Sequence, residues 1–291
     1  MTPEQAATVS RPSVLALGRA PGECPRTLRR ARLVGLSGWA FYVTGRGGAL
    51  GDVHAETVAA AIGFIAPEAV ADGWDTAGRT ARPAEVAAGN LVECCRWGVE
   101  RLSGAPELPR LVGLCGRVVA GADGAGLPLF AAWRAMSVPH DAPAARLAAL
   151  LYVLRELVGG SYLLGVRAVG MSPRDALVAG DEGVAGAAAH GWPPPYPAVG
   201  PLVRRRLLAQ AIGDRLVGAA LAVLSPVERA EYAAGLAALH ARIRPPAGRD
   251  GAEPGGADPD GAGPPRAAGP PRAGGSGDGP ENERRPGAGS G

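Results

Sequence analysis

Residues 144–168 read AARLAALLYVLRELVGGSYLLGVRA, and the spacing within this stretch decides the fold class. Leu147, Leu150, Leu151 and Leu154 recur at intervals of three and four, which lays one broad apolar face along a helix over Ala144 to Leu157. Gly159 and Gly160 follow, and adjacent glycines weaken or kink a helix before its continuation through Ser161 to Ala168. The surrounding run Leu147 to Val169 is the best candidate for a membrane span. It carries Arg155, Glu156 and Arg167, so the expectation is no membrane.

Outward from this segment, helix punctuation recurs on both sides. Asp52 is placed to cap a helix bearing Val58, Ile62 and Ile65. Pro83 suits the first turn of a helix with Val86, Val92, Cys95, Val99 and Leu102 as its stripe, and Leu108, Leu111, Cys115 and Val118 repeat the pattern. Ser172-Pro173-Arg174-Asp175 reads as a cap, a first-turn proline and an acidic third position. Ser225-Pro226-Val227-Glu228 is a capping box opening a last helix that stops at Pro245-Pro246. An apolar segment, Val199 to Leu224, lies between them after the Pro193-Pro194-Pro195 loop. Residues 1–25, with Pro3, Pro12, Pro21 and Pro25, read as irregular and disordered.

Trp39 to Val43 is apolar and strand-like, and Thr44-Gly45-Arg46-Gly47-Gly48-Ala49-Leu50-Gly51 after it looks like the dinucleotide turn of short-chain dehydrogenases. Those enzymes use a Tyr-x-x-x-Lys pair, and this chain has no Lys. No alternating strands follow and no acidic residue ends a second strand, so no nucleotide and no cofactor is expected.

All thirty basic residues are Arg, and Ala, Gly and Pro are inflated with them, the signature of GC-rich codons rather than of nucleic-acid binding. The net charge of +3 is too small for a strong electrostatic footprint. Cys24, Cys94, Cys95 and Cys115 have no zinc spacing, and His54, His140, His190 and His240 are scattered, so no metal site and no catalytic residue is nominated. The thiols and the absence of an apolar leader segment suit a reducing cytoplasm. From Pro245 onward the chain is nearly all Gly, Pro, Ala, Arg, Asp and Glu, and is expected to be a disordered tail, 245–291.

Read over a wider span, Tyr42, Arg46, Leu50 and Gly51, then Phe64, Pro67 and Val70, fall in order with Gly126-Leu127-Pro128-Leu129-Phe130-Ala131-Ala132 and Pro139. Leu154-Arg155-Glu156-Leu157-Val158-Gly159-Gly160-Ser161-Tyr162, His190-Gly191-Trp192 and Leu224-Ser225-Pro226-Val227-Glu228 continue the series. This ordered set, from about Gly38 to Ile243, resembles the actinobacterial SalK-type helix-turn-helix proteins. Their hallmark L-R-E-H-R-G-D-G-H clusters two imidazoles and two carboxylates. Here the His positions are Leu157 and Tyr162 and the Asp position is Gly160, while Arg155, Glu156 and Gly159 persist.

The helix punctuation gives a mainly α fold with a helical domain over 26–170 and the tail, and the resemblance implies a winged-helix-like module over 171–244. It also implies duplex DNA as a partner, with Arg204, Arg205 and Arg206 as the contacts to phosphates or guanine edges. Against this, prolines fill the start of the reading helix, and Val199, Leu202, Val203, Leu207 and Leu208 suggest that its surroundings are buried. The expected function is a non-enzymatic, ligand-responsive or partner-binding regulator. The alternative is a small-molecule-binding protein or enzyme with a pocket near Arg46, Arg155 and Glu156. Adjacent Arg155 and Glu156 point about 100° apart on a helix and should each find another partner.

Overall fold

The computed structural model of the chain describes residues 1–243, and the tail expected over 245–291 lies outside the described residues. The described chain is helical: α1 Pro3–Glu23, α2 Pro25–Leu33, α3 Gly38–Gly47, α4 Ala55–Ile62, α5 Pro67–Gly78, α6 Pro83–Leu102 and α7 Leu108–Gly121. There follow α8 Pro128–Ala135, α9 Pro143–Ala168, α10 Pro173–Val178, α11 Gly183–Ala189, α12 Gly200–Leu221 and α13 Pro226–Ile243, with a 3-10 turn, Gly48–Leu50, after α3.

The stretch that decides the fold class is the central helix. α9 packs against α1, α6, α7, α8 and α12, and Leu147, Leu151, Leu154 and Leu157 are at most 2% exposed. Although α9 is long and apolar enough to cross a membrane, 67% of its apolar window is buried inside the fold. Gly159 and Gly160, expected to weaken or kink the helix, do not interrupt it, and α9 runs unbroken to Ala168. Each glycine costs a helix about 1 kcal/mol, whereas each fully buried leucine contributes about 1.5–3 kcal/mol, so burial decides.

The first residues also depart from expectation, since α1 is ordered and helical. Thr2 forms a capping box with Gln5, Pro3 takes the first turn, and Pro12 and Pro21 are accommodated inside the helix. Ala6, Val14 and Leu17 are buried where α1 meets α9, α12 and α13, and that packing outweighs a proline penalty of about 3 kcal/mol each. The N-terminal helix thus seals the C-terminal pair.

Other boundaries were placed well or shifted for visible reasons. Ser172 Oγ accepts from Asp175 N at 3.0 Å. The Ser225 box closes in both directions, with Ser225 N donating to Glu228 Oε2 at 2.9 Å and Glu228 N to Ser225 Oγ at 3.2 Å. Asp52 is not a cap, because His54 occupies that position before α4. On α6 the expected stripe holds at Val86, Cys95 and Leu102, which are buried, and fails at Val92, which is 47% exposed, while Asn90, Cys94 and Trp97 are buried beside it.

Trp39 to Val43 is helical rather than a strand, opened by Ser37, whose Oγ accepts from Ala40 N at 3.0 Å. The glycines after it serve close helix crossings. A Cβ on Gly47 would lie 2.5 Å from Val58 Cγ1, and one on Gly48 only 2.1 Å from the Pro83 carbonyl oxygen. Ser172 to Ile243 is likewise helix and turn with no strand among the described residues, so the strand hairpin of a winged helix is missing from the segment where it was expected.

Candidate functional site

α3 and α9 cross so that residues 110 apart in sequence meet. Arg46 donates from Nε to Glu156 Oε1 and from Nη2 to Glu156 Oε2, both at 2.8 Å. This side-on pairing is the strongest geometry available to a guanidinium and a carboxylate. It is also deeply buried, the side chains being 12% and 1% exposed. Arg155 turns the other way, as adjacent residues on a helix must. Its Nη2 donates to the Tyr42 hydroxyl at 3.1 Å, it lies over the Tyr42 and Tyr152 rings at 5.9 and 5.5 Å, and only a long 3.4 Å contact links it to Glu156. α1 closes over it at Gly18, where a Cβ would come 2.6 Å from Arg155 Cβ.

A collar of uncharged polar groups holds this cluster in register. Asn90 Nδ2 donates to the Gly45 carbonyl and to the Tyr152 hydroxyl, each at 3.1 Å. Trp133 Nε1 donates to the Arg46 carbonyl at 2.9 Å, and its ring lies 4.5 Å from that of Tyr152. Asn90 and Tyr152 were not singled out from sequence. The available signal was one polar residue at helical spacing between Val86 and Cys94.

Burial, the largest influence on Glu156, favours its neutral form, but Arg46 and then Arg155 outweigh it and hold the carboxyl below its ordinary range. Burial also opposes ionisation of Tyr42, yet Arg155 and Arg46 draw its hydroxyl below the usual phenol value. Two guanidiniums therefore share one carboxylate.

Arg46 and Glu156 form the polar floor of a cavity of about 340 Å³ between α3, α4, α8 and α9. Its apolar wall comes from Leu50, Ile62, Leu127, Phe130, Leu163 and Leu164, with Thr57 and Arg167 as further polar contributors. Gly160 lets Leu127 approach α9 closely at this wall, since a Cβ there would meet Leu127 Cδ2 at 2.8 Å. Of the three residues nominated for a pocket, Arg46 and Glu156 line it, while Arg155 stands behind the wall.

The arginine triplet lies on α12, where Arg204 and Arg205 are exposed. Arg206 is tied down, donating to Asp181 Oδ1 at 3.2 Å. The surroundings expected to be buried are mostly open: Val199, Val203, Leu207 and Leu208 are 40–59% exposed, and only Leu202 is buried. The outward face of α12 therefore mixes Arg204, Leu207, Leu208 and Arg215.

Several consecutive helices are joined by four-residue turns, the usual length in a helix-turn-helix; they include α4 and α5, through residues 63–66, and α12 and α13, through residues 222–225 and at 116°. In these two pairs the second helix offers phosphates no basic face. α5 exposes Glu68, Asp72 and Asp75 on one side, and α13 exposes Val227, Ala230, Glu231 and Ala234. The four histidines stay apart: His54 precedes α4, His140 precedes α9, His190 ends α11 and His240 lies in α13.

Among curated proteins and among solved structures nothing matches this chain. A family description does match, over residues 23–246, a span from just before α2 to past the end of α13 that takes in the α4–α5 and α12–α13 pairs and the cavity. By that match the chain belongs to a helix-turn-helix family.

Proposed function

We propose that the protein is a non-enzymatic regulator of its family that responds to a small molecule held in the Arg46–Glu156 cavity, and that it is a divergent SalK-type member. The observation that carries this reading is the convergence of Arg46 from α3 and Glu156 from α9 on the floor of a mostly apolar cavity. A largely apolar enclosure with a few fixed polar groups is the common form of a small-molecule site.

Both Glu156 oxygens are engaged by Arg46, and among the described residues no other acid and no nucleophile–base pair lines the wall. That supports binding rather than catalysis. α9 would carry the response. Leu163, Leu164 and Arg167 face the cavity, while Gly165 on the same helix packs so tightly on α12 that a Cβ would lie 2.2 Å from the Ala209 carbonyl oxygen. A ligand that shifts α9 therefore shifts α12, provided it binds one arrangement better than the other.

The test is thermal melting of the full chain against a panel of carboxylates, amines, sugars and nucleotides, alongside the Ala61→Phe variant, which fills the cavity from α4. Stabilisation of the native chain by some compounds and not of the variant is expected. A panel that shifts neither protein sinks the reading.

Duplex DNA as a partner is favoured by a separate observation, the exposed Arg204, Arg205 and Arg215 on α12. Its test is titration with duplex fragments at two salt concentrations, because phosphate contacts release counterions. Salt-sensitive binding that the Arg204→Ala/Arg205→Ala variant loses would support it, and absence of binding at low salt would remove it.

A further inference from the structure

The charge balance around the cavity points to what it holds. The buried cluster contains Arg46, Arg155 and Glu156, two cations against one anion, and the remaining neighbours that act on it are the tyrosines Tyr42 and Tyr152. An unpaired charge taken out of water is expensive unless something of opposite sign approaches it. Arg46 commits Nε and Nη2 to Glu156, and its Nη1 has no acceptor among the described residues. Arg167, exposed on α9, lines the same cavity and makes no ion pair among the described residues. Among the described residues Glu156 is the only acid on that wall, and it is already shared.

Resting on the ligand-binding reading above, we infer that the cavity takes a singly charged anionic amphiphile, a carboxylate on an unbranched or aromatic apolar body. The carboxylate sits against the free Nη1 of Arg46 and is met by Arg167, supplying the counter-charge that the cluster lacks. The apolar body lies along Leu50, Ile62, Leu127, Phe130, Leu163 and Leu164. A volume of about 340 Å³ lies at the small end of ligand sites, which run from about 300 to 1,000 Å³, so a small amphiphile such as octanoate suits it.

The experiment is calorimetric titration of the full chain with octanoate, hexanoate, octanol and octylammonium. Octanoate binds one to one, and removing each methylene weakens binding about fourfold. Octanol, whose hydroxyl accepts from Arg46 but brings no opposite charge, and octylammonium, which has no acceptor and a like charge, bind roughly tenfold or more weaker. Because removing Arg46 would strand buried Glu156, the variants used are Arg167→Glu and Ala61→Phe, each first shown to melt cooperatively without ligand. Arg167→Glu weakens octanoate and leaves octanol unchanged, and Ala61→Phe abolishes both. Octanol binding as tightly as octanoate, with loss in Ala61→Phe, would overturn the anion and leave the ligand-binding reading standing. Octanoate binding that survives Ala61→Phe would place the ligand elsewhere and overturn the inference. If none of the four probes binds, the inference falls, and the wider melting panel decides the ligand-binding reading separately.

Discussion

Arg46 and Arg155 at the crossing of α3 and α9, and Arg204 and Arg205 on α12, are the same residue type in a chain with no Lys, and their surroundings are opposite. The first pair is buried, held by a bidentate carboxylate, a phenol and two aromatic rings. The second is exposed beside Leu207 and Leu208 on a helix whose third arginine is engaged by an acid. Codon bias can place arginines on a surface without selecting them for anything. It does not supply Glu156, Tyr42 and Asn90 in matching positions around a buried one. The difference teaches that in such a sequence the count of arginines says little, and the partners each one finds say nearly everything.

The comparison breaks most readily at Glu156. Glu156→Ala leaves Arg46 and Arg155 buried without a carboxylate and is expected to destabilise the protein by about 3–5 kcal/mol, measured by chemical denaturation. Arg46→Met combined with Glu156→Leu should recover much of that loss, because it removes both charges. A Glu156→Ala chain as stable as the native one would show that the buried and exposed arginines are equally dispensable.

Acid titration sharpens the same contrast. The Glu156 carboxyl titrates below its ordinary value in the folded chain. Its contribution is therefore fully present above about pH 4.3, the unfolded value, and is lost as the pH falls below it. Melting temperature measured from neutral pH downward should drop through this acid window. Glu156→Gln should start lower and show a shallower acid limb, whereas an unchanged limb would assign the acid sensitivity to other carboxylates.

Smaller effects follow outward from the cluster. Asn90→Ala removes the bonds to the Gly45 carbonyl and the Tyr152 hydroxyl, and about 1–3 kcal/mol of stability should go with them. Ser225→Ala opens the capping box of α13 and should cost about 1 kcal/mol. Arg204→Ala with Arg205→Ala should change stability by no more than about 0.5 kcal/mol, and should leave octanoate binding untouched.

Much of the fold was legible because it rests on local chemistry. The leucine spacing of α9, Pro83 opening α6, and the Ser172 and Ser225 caps each declare a helix without reference to anything distant. What failed was decided by tertiary contact. α1 keeps Pro12 and Pro21 because α9, α12 and α13 bury its other face, and α9 continues unbroken through Gly159 and Gly160 because its flanks are packed.

The site was half legible. Arg46 and Glu156 stood out as positions, but nothing local reveals that a residue on α3 reaches one 110 positions later. The close seating of Leu127 on α9 depends on what is missing at Gly160. The exposure of Leu207 and Leu208 could not be read either, since apolar residues on a helix announce burial whether or not a partner covers them.

The most direct measurement is a crystal structure of the full chain grown with octanoate. The account predicts the carboxylate beside Arg46 Nη1 and within reach of Arg167, the chain along Leu127, Phe130, Leu163 and Leu164, and the Arg46–Glu156 pair intact. An octanoate seated on α12 beside Arg204 and Leu208, with the cavity holding only water, would contradict it.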